Sequence, residues 1–330
     1  MSDRRSGRCH TFRYATPAHR GGRRRTRRGG LGSISIIPTS PDAPAQIISH
    51  HGRRGEFMND KHIGFIGAGQ IGEPMIERLL GAGRTVSVFA RRPAVRERLA
   101  AAGATLVRAP TDLADVDVLI ACLFDDDQIS TVCVPVIELL RPGAVFVSHT
   151  TGSPKLLREL SDSVEAAVVD ASFSGTAEGI RSGALTVLLG GSEDAVEVAE
   201  RVIGDYADRI LRTGPLGSGL SIKLINNMLF AACTQLTLTA LELAGSLGID
   251  EDHLLAALET TSGGSTAARY IAASPLPAGE FAAHLPHFLS KDVAAARAVA
   301  EDIGLDIRNL ERATRLGPMD LHQPSPTPIG

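Results

Sequence analysis

The sequence predicts an α/β protein: a domain built on a doubly wound parallel sheet, followed by a smaller, all-helical domain. Three observations lead to this prediction. From residue 62 to about residue 221, short apolar runs rich in valine and isoleucine alternate with segments of helical spacing. An apolar stretch that reaches Leu247 follows, and about 25 residues at 1.5 Å each are enough for one long helix. The rest of the chain is rich in alanine and keeps helical spacing.

A chain of 330 residues is long enough for two domains, and the sequence divides into an extension followed by these two domains. Residues 1–57 are expected to be a disordered extension, residues 58–221 the sheet domain, and residues 222–330 the helical domain. The long apolar helix, at about 222–247, connects the two domains. Val168–Asp170 and Leu185–Leu189 are expected to close the sheet. The later helices are predicted at Glu251–Thr260, Ala267–Ala273 and Lys291–Ile303.

Composition excludes several classes of function. Hydrophobic residues make up 43% and charged residues 22% of the chain, as in an ordinary globular protein. The formal net charge of −3 gives no support for nucleic-acid binding. The longest apolar stretch is predicted to be a buried helix of the protein rather than a membrane-spanning helix, because polar residues interrupt it: Asn226, Asn227, Gln235 and Glu242.

The cysteines predict a reducing compartment and no metal site. Their spacing matches neither a disulfide framework nor a set of metal ligands: Cys9, Cys122, Cys133 and Cys233. We therefore expect a cytoplasmic protein. Two patterns that resemble metal sites are interpreted structurally. Asp125–Asp127 is taken as the acidic start of a helix, and His284 and His287 as a pair without helical spacing, because Pro286 stands between them.

Residues 1–57 are strongly basic. They contain twelve arginines and no lysine, with Asp3, Asp42 and Glu56 as the only acids, and they show no helical or strand period. Such a segment cannot bury a core and is expected to be disordered. Three interpretations stay open: an organellar transit peptide, a basic arm that contacts nucleic acid, or upstream sequence read from a misassigned start. The last is favoured because Met58 leads directly into the first strand.

A glycine-rich turn follows the first predicted strand. Residues 62–72 read His-Ile-Gly-Phe-Ile-Gly-Ala-Gly-Gln-Ile-Gly, a short buried strand followed by Gly-x-Gly-x-x-Gly, and a helix and a second strand come next. This order is typical of a Rossmann dinucleotide-binding unit, in which the glycines permit a tight turn and a close approach of the backbone to a pyrophosphate. The residues expected to bind the cofactor are Gly67, Gly69, Gln70, Ile71 and Gly72.

The end of the second strand predicts which dinucleotide binds. A carboxylate here would accept hydrogen bonds from the ribose 2′-hydroxyl of NAD(H), but the chain has Ala90-Arg91-Arg92 and no acid. Arginine instead suits a 2′-phosphate, through paired charge-assisted hydrogen bonds. NADP(H) is therefore favoured over NAD(H), with Arg91 and Arg92 as its ligands.

The long apolar helix carries two polar residues one turn apart. Gly217 opens the stretch, and Lys223 and Asn227 are four residues apart, hence on the same face. An ammonium and a carboxamide in this arrangement can hold one small polar ligand. The helix also has more apolar residues than so short a helical segment can bury. We therefore expect it to pack against a second copy of the chain, in a homodimer or a higher homo-oligomer.

Four separated motifs resemble those of the β-hydroxyacid dehydrogenases, the group that includes 3-hydroxyisobutyrate dehydrogenases and tartronate semialdehyde reductases. The resemblance covers roughly residues 61–305. The motifs are Gly64–Gly72 with Pro74-Met75 after it, Asp170–Gly179 followed by Gly183–Gly191, Gly217–Asn227, and Phe288–Asp292. The resemblance implies a Rossmann domain joined to an all-helical domain that dimerises.

The resemblance also implies roles for the matching residues. Lys223 would be the catalytic lysine, and Asn227 would orient the substrate. The substrate carboxylate would be held by three neighbours, Ser174, Gly175 and Thr176. The cofactor would be contacted by Leu123, Thr151, Lys291 and, at its adenosine phosphate, Arg91.

The chain departs from the family pattern in several places. Thr176 stands where the family usually has glycine, and threonine would be strained there if the backbone needed a positive φ. Ser148 and His149 stand where an acid and a small residue are more usual. The chain also looks shortened after Asp306, which would open or reshape the substrate cleft. These departures affect the prediction of the substrate more than that of the reaction.

The main functional hypothesis is an NADP(H)-dependent oxidoreductase that interconverts a small β-hydroxyacid and its semialdehyde, with Lys223 as general acid and base. Two alternatives stay open. One is an imine reductase on the same fold, against which Lys223 argues because such enzymes usually carry Asp or Tyr at this position. The other is an NADPH-binding interaction protein without catalytic activity, whose Arg-rich arm contacts nucleic acid.

Overall fold

The computed structural model describes residues 61–321. The Arg-rich extension at residues 1–57 lies outside the described residues, as does the proline-rich end of the chain after residue 321. The disorder expected of the extension, and its three interpretations, therefore stay predictions.

Eight strands form one sheet: β1 (Ile63–Ile66), β2 (Val86–Phe89), β3 (Thr105–Leu106), β4 (Val118–Ala121), β5 (Val145–Ser148), β6 (Ala167–Ser174), β7 (Thr186–Gly190) and β8 (Arg209–Gly214). Their order across the sheet is β3-β2-β1-β4-β5-β6-β7-β8. Neighbouring strands are parallel except for β6 and β7, which are antiparallel. The first six strands follow the Rossmann order, which confirms the predicted fold class.

Helices cover both faces of the sheet. They are α1 (Gly72–Gly81), α2 (Pro93–Ala101), α3 (Asp126–Gln128), α4 (Val134–Ile137), α5 (Pro154–Ser163), α6 (Ala177–Ser182) and α7 (Glu193–Ile203). This part of the chain also contains a short 3₁₀-helix at Pro110–Leu113 and a short π-helix at Ile129–Cys133. Because the sheet is covered on both faces, central strands such as β1 and β4 are buried along their whole length.

The second part of the described chain is helical: α8 (Ser218–Ser246), α9 (Glu251–Thr260), α10 (Thr266–Ala273), α11 (Ala278–Ala283), α12 (Pro286–Asp302) and α13 (Arg308–Ala313). Apolar side chains of α8, among them Leu224, Met228 and Leu238, form a core with residues of α9, α10 and α12. The predicted helices at 251–260 and 267–273 agree with α9 and α10. α11 and α13 have no counterpart in the prediction, since six residues are too few to establish a helical period.

The prediction that the sheet ends at Leu185–Leu189 is wrong, because β8 pairs in parallel with β7 and adds an edge strand. The residues of β8 are exposed or half-buried, and two of its six are arginines, Arg209 and Arg212. A strand of this kind lacks the continuous apolar run of a buried strand, so the sequence pattern does not reveal it.

α8 begins at Ser218, before the predicted start at residue 222, and ends at Ser246. Within residues 61–321 it is the one helix that is long and apolar enough to cross a membrane, judged by length and composition alone. In its most apolar window, 44% of the residues are buried inside the protein. Its position at the centre of the helical core supports the prediction of a buried helix.

The chain after Asp306 packs back onto α8. The side-chain amide of Gln235 is buried and donates to the carbonyl oxygens of Thr314 (3.0 Å) and Met319 (2.6 Å). Its oxygen accepts a hydrogen bond from the amide of Met319 at 2.9 Å. Residues 314–319 are thereby fixed to the middle of α8. The predicted shortening of the chain relative to the family stays a prediction.

Candidate functional site

The glycine-rich turn joins the carboxyl end of β1 to the start of α1. Gly67 has a φ of +101°, and a Cβ there would lie 2.1 Å from the carbonyl oxygen of Cys122. A Cβ at Gly72 would lie 2.1 Å from the carbonyl oxygen of Gly67. Both positions therefore require glycine. Gly69 differs, because a Cβ at this position would meet no atom within 4 Å.

The turn has the shape that a dinucleotide pyrophosphate needs. The strand order reverses beside β1, and ligands of open α/β sheets bind at such a point, beyond the carboxyl ends of the strands. The space that a side chain at Gly69 would occupy is open there, and the exposed Gln70 and half-buried Ile71 lead into the first turn of α1. The first amides of a helix favour an anion, so the residues at this edge of the sheet fit the cofactor.

We expect Gly69→Ala to fold as the wild type does but to bind the dinucleotide at least about tenfold more weakly, a loss of about 1.4 kcal/mol. The added methyl would contact no atom of the described residues, so the fold should not change. It would, however, occupy space that the pyrophosphate needs. Gly72→Ala is the matched variant, and it should also lower the melting temperature, because its methyl overlaps the backbone of Gly67. Thermal unfolding and fluorescence titration with NADPH measure the two effects. Wild-type affinity in Gly69→Ala would contradict this position for the pyrophosphate.

The two arginines after β2 have different surroundings. Arg92 is exposed, and its Nη2 donates to the carbonyl oxygen of Ala68 at 3.3 Å, which links it to the glycine-rich turn. Arg91 is exposed and makes no hydrogen bond to another residue within the described part of the chain. The guanidinium of Arg91 is therefore available for an external phosphate, while that of Arg92 supports the turn.

Lys291 connects the helical part of the chain to the loop after β5. Its Nζ donates to the carbonyl oxygen of Thr151 at 2.8 Å and to Oδ1 of Asp292 at 2.7 Å. The same ammonium lies 5.2 Å from the centre of the Phe124 ring. Leu123 belongs to the same region, because its amide donates to the hydroxyl of Thr150 at 3.1 Å. Three residues with a predicted cofactor contact are thus close together: Leu123, Thr151 and Lys291.

A cavity of about 480 Å³ lies between the end of β6 and the helices α8, α10 and α12. It brings together Ser174 at the end of β6, Gly175 directly after it, and Lys223 and Asn227 on α8. These four residues are separated by about 50 positions in the chain, yet they line one space. The cavity can hold a small polar group between a hydroxyl, an ammonium and a carboxamide.

The environment of Lys223 favours its neutral form. The side chain is largely enclosed, and burial lowers the pKa of Lys223 below its ordinary value. The negative charge of Asp292 opposes this shift, while the positive charge of Lys291 adds to it. The ammonium lies 5.9 Å from the centre of the Phe173 ring. A lowered pKa makes the neutral amine easier to form than in an exposed lysine. An amine that passes between its charged and neutral forms can accept and donate a proton, as a general acid and base must.

Asp292 is a residue of the site that the predicted set of site residues lacks. It is buried, and Oδ2 accepts a hydrogen bond from Nδ2 of Asn227 at 2.6 Å. Since Oδ1 accepts from Lys291, the carboxylate fixes both residues at once. The motif Phe288–Asp292 contains Asp292, but its hydrogen-bond partner Asn227 is 65 positions away in the chain. Only the folded chain reveals that Asp292 orients the amide of Asn227.

Asp170 is a second such residue, and it positions the start of α8. It is 1% exposed, and its two carboxylate oxygens accept hydrogen bonds from the amides of Gly217 and Leu220, each at 2.6 Å. Burial raises the pKa of Asp170, and the amide hydrogen bonds oppose this shift. Lys223 follows one turn after the amides that Asp170 binds. The carboxylate thus connects β6, which ends at Ser174, to the helix that carries Lys223.

Thr176 does not meet the condition under which threonine would be strained. Its φ is −119° and its ψ is 167°, an ordinary extended conformation, and its hydroxyl accepts a hydrogen bond from the amide of Gly179 at the start of α6. The positive φ of this loop, +150°, belongs to Gly175 instead. Thr176 is also not among the residues that line the cavity. It caps a helix next to the predicted carboxylate site.

The residues that resemble metal ligands have structural contacts. Asp125 accepts a hydrogen bond from the amide of Gln128 at 2.9 Å, and Asp126 accepts one from the amide of Ser153 at 2.8 Å. Burial raises the pKa of Asp126. Between residues 61 and 321 no three His, Cys, Asp or Glu side chains form a group that could hold a metal ion.

His149, one of the departures from the family pattern, is a buried structural residue. Its Nδ1 lies against the carbonyl oxygen of Ala171, and its Nε2 is 2.8 Å from the hydroxyl of the fully buried Tyr206. Burial lowers the pKa of His149 to about 4, so the ring is neutral at physiological pH. It packs beneath the end of β5 and does not line the cavity.

Two family models match the chain in succession. The NAD-binding domain of 6-phosphogluconate dehydrogenase matches residues 62–214. The NAD-binding domain of NADP-dependent 3-hydroxyisobutyrate dehydrogenase matches residues 217–319. The two matches meet between β8 and α8, and together they cover nearly all of the described residues.

Individual proteins agree with these matches. The chain is 30% identical over 208 residues to the mitochondrial 3-hydroxyisobutyrate dehydrogenase of Rattus norvegicus. The aligned region covers 61% of this chain and 62% of the relative. The match therefore spans less than two thirds of the length of that relative. A probable 3-hydroxyisobutyrate dehydrogenase of Mycobacterium bovis is 31% identical over 205 residues, 61% of this chain and 70% of the relative.

A solved structure supports the same relationship. The 3-hydroxyisobutyrate dehydrogenase of Mycobacterium tuberculosis, determined with L-serine, superposes with a TM-score of 0.69 at 26% sequence identity. The superposition covers 77% of this chain and 91% of that chain. The similarity thus extends over the Rossmann sheet and the helical part together.

Proposed function

The chain belongs to the β-hydroxyacid dehydrogenase family, and from this premise we propose that it is an NADP(H)-dependent oxidoreductase that interconverts a small β-hydroxyacid and its semialdehyde. One observation carries the proposal: Lys223 shares a cavity with Ser174, Gly175 and Asn227. An amine that can exchange a proton and a hydroxyl that can donate a hydrogen bond to a carboxylate therefore line the same space. The relative solved with L-serine, itself a β-hydroxyacid, agrees with this class of ligand.

The proposed mechanism assigns the proton to the protein. The bound nicotinamide cofactor supplies or accepts the hydride at the substrate carbon. During oxidation, neutral Lys223 accepts the proton of the substrate hydroxyl while that carbon loses the hydride. During reduction, protonated Lys223 donates its proton to the carbonyl oxygen. Asn227, held by Asp292, orients the oxygen that gains or loses the proton.

The substrate carboxylate would lie at the end of β6, with Ser174 as a hydrogen-bond donor. Thr176 does not line the cavity and would support this loop through its capping hydrogen bond with Gly179. Lys291, Leu123 and Thr151 would hold the nicotinamide half of the cofactor between the loop after β5 and α12. This arrangement would place the reacting carbon between the cofactor and Lys223.

We propose a preference for NADP(H) over NAD(H) because the exposed Arg91 follows β2 where an acid would otherwise bind the ribose. Arg91→Ala is expected to raise the Kd for NADPH about 10- to 100-fold, since a hydrogen bond to a charged group contributes about 1.5–3 kcal/mol. The Kd for NADH should change little. Arg92→Ala is the control, and it should weaken both cofactors alike through its contact with Ala68. Equal losses for both cofactors in Arg91→Ala would contradict the role of Arg91.

The activity is tested by a spectrophotometric screen of the full chain with NADPH and NADH. Substrates are small β-hydroxyacids, including L-serine and 3-hydroxyisobutyrate, their semialdehydes, and cyclic imines. We expect turnover of at least one β-hydroxyacid or semialdehyde and none of the imines. Reduction of an imine, without turnover of any hydroxyacid, would instead assign the chain to the imine reductases.

We further propose that the chain forms a homodimer or a higher homo-oligomer through α8. Four large apolar residues on this helix are 42–62% exposed at intervals of seven residues: Ile222, Leu229, Leu236 and Leu243. Such a stripe is typical of a helix that packs against another. Light scattering should give at least twice the chain mass, and Leu236→Lys should lower it. A monomeric wild type would contradict the proposal.

We also propose a cytoplasmic location. Cys122, Cys133 and Cys233, the cysteines that the structure describes, are free thiols, as expected in a reducing compartment. Cell fractionation that recovers the protein in an organelle would contradict this proposal and favour the transit-peptide interpretation of residues 1–57.

A further inference from the structure

The cavity that holds Lys223 continues along α8 well beyond the reacting end. Lys223, Asn227, Phe230 and Cys233 all line it, and their spacing places them along one side of the helix. Ten residues at 1.5 Å each separate Lys223 from Cys233, so the cavity extends about 15 Å along the helix axis. A β-hydroxyacid that places its carboxylate near Ser174 leaves most of this length to its substituent.

The far end of the cavity is apolar and aromatic. The rings of Phe230 and Tyr270 lie edge to face, with their centres 5.8 Å apart, and Leu285 and Leu289 line the same space. Tyr270 is 43% exposed. A ring or a branched alkyl group that entered here would remove apolar surface from water on both sides of the contact.

Among the described residues, those that line the apolar end of the cavity carry no charge. Lys223, at the polar end, is the one charged residue among the described residues that line the cavity. Ser265 and Thr266 line the cavity at the start of α10. Ser265 accepts a hydrogen bond from the amide of Ala268 at 3.1 Å, and Thr266 accepts one from Arg269 at 2.7 Å. A second carboxylate or a phosphate placed against the apolar side chains of Phe230, Leu285 and Leu289 would lose water and gain no hydrogen bond from them.

We propose that the substrate is a monocarboxylate β-hydroxyacid that carries an apolar substituent, up to the size of a phenyl ring, bound against Phe230 and Tyr270. The proposal rests on the proposed function and specifies the substrate of the same site. It excludes dicarboxylates, phosphorylated sugar acids and small polar semialdehydes as preferred substrates. The carboxylate and the hydroxyl occupy the polar end at Ser174 and Lys223, and the substituent lies along α8.

The test is a substrate series assayed with the full chain and NADP⁺. The series is 3-hydroxypropanoate with hydrogen, methyl, propyl, benzyl or carboxylate at C2. We expect kcat/KM to rise about fourfold for each methylene from methyl to propyl, which corresponds to about 0.8 kcal/mol per methylene. The benzyl compound should be the best substrate and the carboxylate compound the poorest.

Two substitutions of Tyr270 locate the effect. Tyr270→Ala is expected to lower the ratio of kcat/KM between the benzyl compound and the unsubstituted compound at least about tenfold, the 1.4 kcal/mol expected for a lost ring contact. Tyr270→Phe keeps the ring and should keep the ratio. If both variants changed the ratio equally, the ring of Tyr270 would not be the binding surface.

The outcomes separate this inference from the function on which it rests. A flat series, or a preference for the carboxylate compound, would overturn the apolar substituent while leaving the dehydrogenase in place. If none of the β-hydroxyacids turned over although NADPH bound, the proposed function itself would fail, and the inference with it.

Discussion

Lys223→Ala should lower kcat for the best substrate at least about 100-fold while leaving the Kd for NADPH near the wild-type value. The alanine cannot exchange a proton with the substrate oxygen. The dinucleotide should still bind, because the glycine-rich turn and Arg91 lie on other elements of the fold. Steady-state kinetics and fluorescence titration measure the two quantities.

The pH dependence of kcat should also depend on Lys223. Burial lowers the pKa of Lys223, so the group loses its proton at a lower pH than an exposed lysine does. Reduction needs the protonated amine, and its kcat should fall as the pH rises through this lowered pKa. Oxidation needs the neutral amine, and its kcat should rise over the same range. Both transitions should be absent in Lys223→Ala.

Lys155→Ala is the matched control, because its ammonium lies on the exposed face of α5 with 63% of the side chain accessible. It removes the same charge from the protein and should leave kcat and both pH profiles unchanged. A Lys223→Ala protein whose kcat stayed near that of the wild type would exclude this lysine as the general acid and base. The activity would then have to rest on another group of the cavity.

Features with a local cause were predictable from the sequence. The glycine-rich turn follows from steric limits within six residues, and Gly67 and Gly72 would both clash if they carried a Cβ. The length of α8 follows from one uninterrupted run of helical residues. The edge strand β8 has no such local signal and could not be predicted in this way. Its residues are not buried enough to mark a strand, and only the pairing with β7 makes it one.

The residues that orient the site were harder to predict, because their partners are distant in the chain. Asp170 binds the amide of Gly217, 47 positions later, and Asp292 binds Asn227, 65 positions earlier. No periodicity links such pairs. Whether Thr176 would be strained depended on the same packing: the loop places its positive φ at Gly175, one residue earlier, so the condition for strain is not met. Sequence motifs can indicate which residues matter, but these contacts depend on how β6, α8 and α12 pack.

Asp170→Ala should lower the free energy of unfolding by about 2–6 kcal/mol. The carboxylate is buried and accepts hydrogen bonds from two backbone amides, those of Gly217 and Leu220. Alanine would leave both amides without a partner, and each buried, unpaired donor costs about 1–3 kcal/mol. Chemical denaturation followed by circular dichroism measures the change. Asp250→Ala is the control, because Asp250 caps α9 at an exposed position through one hydrogen bond, and its loss should cost only about 0.5–2 kcal/mol.

The same substitution should also lower kcat under conditions in which the protein stays folded. Lys223 lies one turn beyond the amides that Asp170 binds, so a loosened first turn of α8 moves the ammonium relative to Ser174. Asp170→Asn keeps one acceptor oxygen and should lose less of both stability and kcat than Asp170→Ala. If Asp170→Ala lost stability without any change in kcat, the carboxylate would serve the fold alone. If kcat and stability fell together in both variants, the result would mean that β6 positions Lys223 through this carboxylate.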